Sequence, residues 1–267
     1  MPAATARFPA FSAASLTACL AAALTLPAPA ARAFELEAAD LTLTATPSLS
    51  SDYLFRGLSQ TRNRPAAQAT LDLQHGSGVY VGGFLSNATF LASPASDTRQ
   101  ELDLMAGYRF RLGGVAFDAG YIAYLYPGQD KAAGGQVSEY QELMLKAAYT
   151  IDPLKLTGAF NHAPNFFGRS GQAYALEGLA ELSLPAGFTA SARLGYQWIE
   201  RNTVFGTPDY LWYAVGLARE IGAGVTASLS WSGTSIRQRD CAPVADRAPE
   251  GQKICDGRLL LTLSRAF

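Results

Sequence analysis

The chain has 267 residues, and only 16% of them are charged, against roughly a quarter in an average soluble domain. With 21 basic and 22 acidic residues the net charge is −1, which is too small to indicate nucleic acid or another polyanion as a partner. After residue 33 no stretch approaches the run of about 18 apolar residues that a membrane-spanning helix needs, which excludes a helical membrane protein. A soluble all-β domain and an outer-membrane barrel remain.

The first 33 residues have the organisation of an export signal that is removed from the mature protein. Arg7 supplies a positive charge, residues 13–26 are apolar, and Ala31-Arg32-Ala33 matches a small-x-small cleavage site. The apolar stretch is too short to span a bilayer, which argues against a membrane anchor. We therefore predict a cleaved signal peptide over residues 1–33 and one barrel domain over residues 34–267.

From Leu41 onward, segments of alternating polarity are separated by connections of two kinds, short turns and long polar loops. The short turns are residues 76–78, 113–114, 152–153, 185–187 and 222–224, and the long loops lie near residues 57–65, 87–99, 127–136, 162–172, 201–208 and 237–256. The two kinds alternate strictly along the chain. This asymmetry predicts an all-β fold, a transmembrane antiparallel up-and-down β-barrel of about 12 strands, with tight periplasmic turns, long external loops and both termini in the periplasm.

Within the predicted strands, apolar residues alternate with polar or small ones. In residues 188–198 the polar or small row consists of Thr189, Ser191, Arg193, Gly195 and Gln197. Aromatic residues near strand ends predict belts at the two membrane interfaces, and they include Phe117, Phe188, Trp198, Tyr210, Trp212 and Trp231. A soluble β-sandwich also alternates, because one face of each sheet is buried. The even number of strands and the two kinds of connection favour the barrel.

The last strand, residues 257–267, is predicted to close the barrel. Leu259, Leu261 and Leu263 share a lipid-facing row with the terminal Phe267. Arg265 interrupts that row, and we expect its guanidinium to extend to water at the membrane surface. We also expect this strand, with its terminal aromatic residue, to be the part that the barrel assembly machinery engages.

Two cysteines remain after removal of the signal, Cys241 and Cys255, within one polar stretch. An exported chain with a single local pair most simply forms a disulfide, which is our prediction. A metal site is the alternative, and it is poor because no histidine lies nearby to complete a ligand set.

The motif that opens the barrel consists of residues 50–60, Ser-Ser-Asp-Tyr-Leu-Phe-Arg-Gly-Leu-Ser-Gln, followed by Pro-Ala-Ala-Gln at 65–68. It resembles the start of the TorF-type family of outer-membrane porins. Further segments that fit the family are residues 78–82, 86–87, 101–103 and 107–108, whereas Ala69-Thr70 stands where glycines are usual. The resemblance implies an outer-membrane barrel that acts as a channel, and it carries over no catalytic residue.

Acidic and basic side chains are almost balanced on the rows predicted to face the lumen. The candidates for a selectivity site are Asp52, Arg56, Gln68, Glu101, Asp103, Arg109, Glu142, Lys146, Glu177 and Arg193. Asp52, Arg56 and Gln68 are expected near the outer half of the first two strands. They form either a patch that selects small polar solutes or a salt-bridged strut. We favour the strut, because inward charges close enough to interact usually pair.

Three tyrosines near the predicted outer mouth, Tyr124, Tyr126 and Tyr140, either stack on a sugar or nucleoside or pack in the girdle or beneath loops. A hydrolase would need a serine activated by a histidine, and only His75 and His162 are available. His162 could at best approach Ser138, and no Gly-x-Ser-x-Gly elbow occurs. We therefore predict that the protein is not an enzyme and keep a phospholipase-like hydrolase as a remote alternative.

The predicted function is passive diffusion of small hydrophilic solutes through a porin-like channel in the bacterial outer membrane, in contact with lipid and lipopolysaccharide. Such transport requires no cofactor, because selectivity comes from the width of the lumen and from the side chains that line it. The alternative is a sealed structural barrel whose long loops bind at the cell surface. A barrel of about 12 strands permits either, since it lies between small filled barrels and wide porins.

Overall fold

The computed structural model of the protein describes residues 34–36, 39–89, 98–128, 138–241 and 253–267. The predicted signal peptide lies outside these residues. The barrel strands are β1 Leu41–Ser50, β2 Ala66–His75, β3 Val79–Asn87, β4 Gln100–Leu112, β5 Val115–Leu125, β6 Tyr140–Ile151, β7 Leu154–Ala163, β8 Ala173–Leu184, β9 Phe188–Ile199, β10 Tyr210–Gly222, β11 Val225–Thr234 and β12 Arg258–Arg265. Each strand pairs antiparallel with the next, and β12 pairs with β1. The prediction of a closed antiparallel barrel of 12 strands is confirmed.

The remaining elements are short. A strand at Phe34–Leu36 pairs with the start of β1, and two-residue strands at Leu54–Phe55 and Leu58–Ser59 pair with each other. Single helical turns occur at Phe167–Arg169, Pro185–Gly187, Asn202–Phe205 and Gln238–Asp240. No helix in the described ranges is both long and apolar enough to cross a membrane.

The seam between β1 and β12 uses the last residue of the chain. Backbone pairing runs from Ser50 opposite Thr262 to Ser48 opposite Ser264. Pro47 follows on β1 and has no N–H to contribute. Beyond it, Ala45 and Phe267 exchange two backbone hydrogen bonds of 3.1 and 2.9 Å. The terminal aromatic residue is therefore a structural part of barrel closure.

Arg265 differs from its prediction. It is only 1% exposed, and its guanidinium carbon lies 4.7 Å from the centroid of the Phe267 ring. A cation over an aromatic face gains electrostatic energy, so the ring offsets part of the cost of removing this charge from water.

The connections confirm the two-class pattern and give the barrel two different ends. The five tight connections lie at one end, called the turn end below, and the six long ones lie at the other, called the loop end. One boundary differs from the sequence prediction. β1 stops at Ser50, so that Asp52 and Arg56 lie in the first long connection instead of on a barrel strand.

The outer surface of the barrel is apolar. Large hydrophobic side chains that remain exposed on it include Leu104, Leu145, Leu176, Leu194, Val215, Leu229, Trp231, Leu259 and Leu261. Hydrocarbon-facing rows require a band of this kind, which the structure shows on β2 to β12, and the intervening residues face the lumen.

Candidate functional site

The first long connection folds into the lumen. Leu54–Phe55 and Leu58–Ser59 form a hairpin around Arg56 and Gly57, whose φ angles of 47° and 80° match a type I′ turn. A Cβ at Gly57 would lie 2.6 Å from Cγ2 of Thr234 on β11, so this close approach requires glycine. We call residues 52–61 the lumen hairpin, and its tip reaches the wall formed by β10 and β11.

The tip is held by a buried ion pair on the far side of the barrel. Arg56 donates two hydrogen bonds of 2.8 and 2.7 Å to the two carboxylate oxygens of Glu142 on β6. It also donates to Gln197 on β9 at 2.9 Å. Asn161 and Tyr124 donate to the same carboxylate at 3.0 and 3.2 Å. Arg56 thus ties the hairpin to β6 and β9, and side chains of β5 and β7 hold the same carboxylate.

The environment of Arg56 keeps it charged. Its side chain is 10% exposed and that of Glu142 is 1% exposed. Burial alone lowers the pKa of the Arg56 guanidinium, but the Glu142 carboxylate raises it by more, and the pKa lies above its ordinary value. The pair therefore behaves as a fixed salt bridge of bidentate geometry.

The base of the hairpin is fastened separately. Asp52 accepts hydrogen bonds from Ser59 at 2.7 Å, from Thr61 at 2.6 Å and from Arg258 on β12 at 2.7 Å. Tyr53 donates to Glu101 on β4 at 2.6 Å. Burial raises the pKa of Tyr53, and the nearby Glu101 raises it further, so its hydroxyl stays a donor. The hairpin is thus anchored at both of its ends.

Above the hairpin, towards the loop end, aromatic side chains fill the lumen. Tyr124 and Tyr140 stack with ring centroids 4.3 Å apart, and Phe166 and Phe205 from two long loops pack 5.3 Å apart. All four are buried, as are Tyr126 and Phe167. Of the two roles predicted for the tyrosines, the structure shows packing beneath loops.

Below the hairpin, towards the turn end, the lumen is open. A cavity of about 520 Å³ lies between Arg56 and polar side chains of the barrel wall. Its lining includes Lys146, Asn161, Glu177, Ser191 and Arg193 on one side, and Ala214, Gly216, Ser228, Ser230 and Ser232 on the other. A second cavity, of about 690 Å³, lies at the turn end and is lined by Gln74, Arg109, Arg111, Asp118, Lys146 and Lys155. Lys146 lines both cavities.

Most charged candidates of the turn-end half are paired, but their side chains keep contact with solvent. Arg109 donates to Asp72 at 2.8 and 2.7 Å and lies 3.5 Å from Asp118. Arg193 lies 3.3 Å from Glu177, with the two side chains 45% and 23% exposed. Lys155 and Glu181 form a similar exposed pair at 2.9 Å.

The other predicted site residues have polar or no direct partners. Gln68 lies 3.5 Å from Ser48 and 3.3 Å from Ser86, away from the hairpin. Asp103 is buried, and its Oδ1 has no hydrogen-bond partner within the ranges that the structure describes. Lys146 has no carboxylate within 4.0 Å in those same ranges.

Trp212 was assigned to the interfacial belt from the sequence, and this prediction is wrong. Its side chain is 3% exposed inside the lumen, where Nε1 donates to Glu177 at 3.1 Å. Gly195 makes room for it, because a Cβ there would collide with the indole ring. The alternation of β10 contains the missed signal, since Leu211, Tyr213 and Val215 face outward. Tyr210 is likewise buried, whereas Trp198 and Trp231 are exposed as predicted.

The cysteine and histidine predictions have different outcomes. Cys241 and Cys255 form the predicted disulfide. His162 stacks on Tyr174, with 4.7 Å between the ring centroids, and its Nε2 lies 3.4 Å from Oε1 of Gln172. His75 lies 2.8 Å from Ser77 in a tight turn.

Comparisons with known proteins agree with the barrel. A model of the family described as "Bacterial protein of unknown function (Gcw_chp)" matches residues 35–267. No curated protein matches the sequence. The solved structure of the KdgM porin in complex with disordered oligogalacturonate aligns with a TM-score of 0.53 at 9% identity, covering 84% of this chain and 98% of that one. The NanC porin aligns with a TM-score of 0.53 at 8% identity and the same coverage. These likenesses show a shared fold, and the TorF-type resemblance stays a prediction.

Proposed function

The chain belongs to the Gcw_chp family, and we propose that it is a porin-like channel through which small hydrophilic solutes cross the bacterial outer membrane by passive diffusion. The observation that carries the proposal is the pair of cavities in the turn-end half of the lumen, which meet at Lys146 and are lined by charged and hydroxyl side chains. A solute that leaves water for such a lining keeps its hydrogen bonds, so entry costs little.

In this proposal the lumen hairpin sets the conductance. Its tip spans from Glu142 on one wall to Thr234 on the other, and the aromatic cluster lies above it. Solutes that enter the turn-end cavities must pass this constriction to reach the loop end. We therefore expect a small unitary conductance compared with that of a barrel whose lumen is free.

The proposed location is the outer membrane, with lipid and lipopolysaccharide against the apolar outer band. The seam at Phe267 supports recognition of the last strand by the barrel assembly machinery, because this strand closes the barrel. Export through a signal peptide at residues 1–33 belongs to the same proposal. We propose no hydrolase, because His162 is engaged by Tyr174 and Gln172.

The test is the current through planar bilayers that contain the refolded protein. A matched variant replaces residues 54–59 by two glycines and carries Glu142→Gln, so that no buried carboxylate loses its cation. We expect small discrete steps from the natural sequence and steps several times larger from the variant. Both proteins must show the same β circular dichroism for the comparison to hold.

The competing function is a sealed surface barrel, and the filled loop-end half favours it. A sealed barrel gives no current steps with the natural sequence. Current steps with the hairpin variant alone would then show that the hairpin closes the lumen. If both proteins are correctly folded and neither conducts current, the proposed channel is contradicted.

A further inference from the structure

We infer that the turn-end half of the lumen contains a binding site for small hydroxylated carboxylates, such as sugar acids, in which Lys146 supplies the charge and the serines of β9 and β11 supply hydrogen bonds. This inference rests on the proposed channel and names the solute class that it favours.

The first step is that Lys146 forms no ion pair with any residue that the structure describes. The other inward cations near the two cavities have acids in contact, apart from Arg111 at the turn end, where no ion pair is formed within the described ranges. Asp118 is the cross-strand neighbour of Lys146, but it is engaged by Arg109 at 3.5 Å and by the hydroxyl of Tyr80 at 2.8 Å. The ammonium of Lys146 is therefore available to an anion.

The second step is the position of Lys146 along the axis. It lines the cavity below the hairpin and also the cavity at the turn end, so a solute that moves between them passes its ammonium. A cation in a cleft with walls of low dielectric constant raises the local concentration of anions. Arg111 lines the cavity at the turn end and extends the positive electrostatic field of Lys146 in that direction.

The third step concerns the hydroxyl groups that line the cavity below the hairpin together with Lys146. The cavity below the hairpin is lined by Ser191, Ser228 and Ser230. Their hydroxyl groups make no hydrogen bond within the part of the chain that the structure describes. A hydroxyl both donates and accepts, as the hydroxyls of a sugar do. A ligand that places a carboxylate at Lys146 and hydroxyl groups along the serines is a hydroxylated acid.

Gluconate is a suitable probe, with glucose and acetate as the ligands that lack one of the two features. In planar bilayers with a potassium chloride gradient, we expect the natural sequence to prefer anions and gluconate to reduce its chloride current. Lys146→Gln should weaken that block about tenfold, equivalent to about 1.4 kcal/mol. It should also shift the reversal potential towards cation preference. Glucose and acetate should each block more weakly than gluconate.

Lys155→Gln with Glu181→Gln is the control, because it removes an exposed ion pair from the lumen and leaves the net charge unchanged. It should change the gluconate block by less than about twofold, as expected for an exposed pair. Equal effects of the two variants, or a channel without anion preference, would overturn the inference and leave the channel intact.

Absence of current in the natural sequence and in the hairpin variant would overturn the channel, and the site can then be tested by itself. The turn-end cavity is open in either case, so isothermal titration of the detergent-solubilised protein with gluconate remains possible. Binding that Lys146→Gln abolishes supports the site without transport, whereas no binding to the natural sequence refutes it.

Discussion

In the loop-end half of the lumen Arg56 and Glu142 are 10% and 1% exposed, whereas in the turn-end half Arg193 and Glu177 are 45% and 23% exposed. The strands that carry these wall residues follow one alternating pattern in both halves. The difference comes from the lumen hairpin and the aromatic cluster, which exclude water above and leave the cavities below. Inward-facing ion pairs therefore stabilise the structure in the loop-end half and form a solvated lining in the turn-end half.

The sharpest way to test this contrast is Arg56→Ala, for which we expect the largest effect. It leaves the Glu142 carboxylate buried without its cation, which costs about 3–5 kcal/mol. The measurement is the free energy of unfolding in urea, followed by tryptophan fluorescence of the protein folded in lipid vesicles. The hairpin should also loosen, so that the unitary conductance rises.

A double variant separates the loss of the pair from the loss of the charge. Arg56→Met with Glu142→Leu removes both ions, and replacement of a buried pair by apolar residues is often neutral. We expect it to recover most of the stability lost in Arg56→Ala. Equal losses in the single and double variants would mean that Arg56 acts through packing alone.

Removing the disulfide should have the next largest effect on stability. Cys241 and Cys255 are 14 residues apart, and closing a loop of this length stabilises by roughly 3 kcal/mol in the chain-entropy account. Ile254 beside it accepts a hydrogen bond of 2.9 Å from the N–H of Ser59, so the bridged loop also braces the hairpin. Cys241→Ser with Cys255→Ser should lower the urea midpoint. Reduction of the disulfide in the natural sequence must give the same urea midpoint. If neither the variant nor the reduced protein has a lower midpoint, the bridged loop does not stabilise the hairpin.

Asp103→Asn should act in the opposite direction. Its carboxylate is 7% exposed, and one oxygen lacks a hydrogen-bond partner in the described ranges, which is a penalty of roughly 1–3 kcal/mol for a buried polar group. Replacing this buried acid by an amide should raise the free energy of unfolding. Asp72→Asn is the control, because it breaks the bidentate pair with Arg109 and should lower stability. A loss in Asp103→Asn would show that its carboxylate has a role that the contacts do not explain.

The sequence predicted the barrel because alternation and turn chemistry are local properties of each strand. It placed the tight turns and the inward row of β9 correctly. It did not predict that residues 52–61 enter the lumen, because the partner of Arg56 is 86 residues away on β6. The direction of that loop is decided by tertiary contacts. Trp212 was misplaced for the opposite reason, since its aromatic type was given more weight than its position in the alternation of β10.

Arg193→Ala should have the smallest effect on stability, and this makes it the control for the whole contrast. Its pair with Glu177 is 3.3 Å long and solvated, and such pairs contribute about 0–1 kcal/mol. Glu177 also keeps the hydrogen bond from Trp212, so its position should hardly change. The small loss should fade at high salt, which screens exposed charges, whereas the loss in Arg56→Ala should persist. In the proposed channel, the freed carboxylate should move ion preference towards cations. A loss as large as that of Arg56→Ala would mean that the two halves do not differ in how they hold charge.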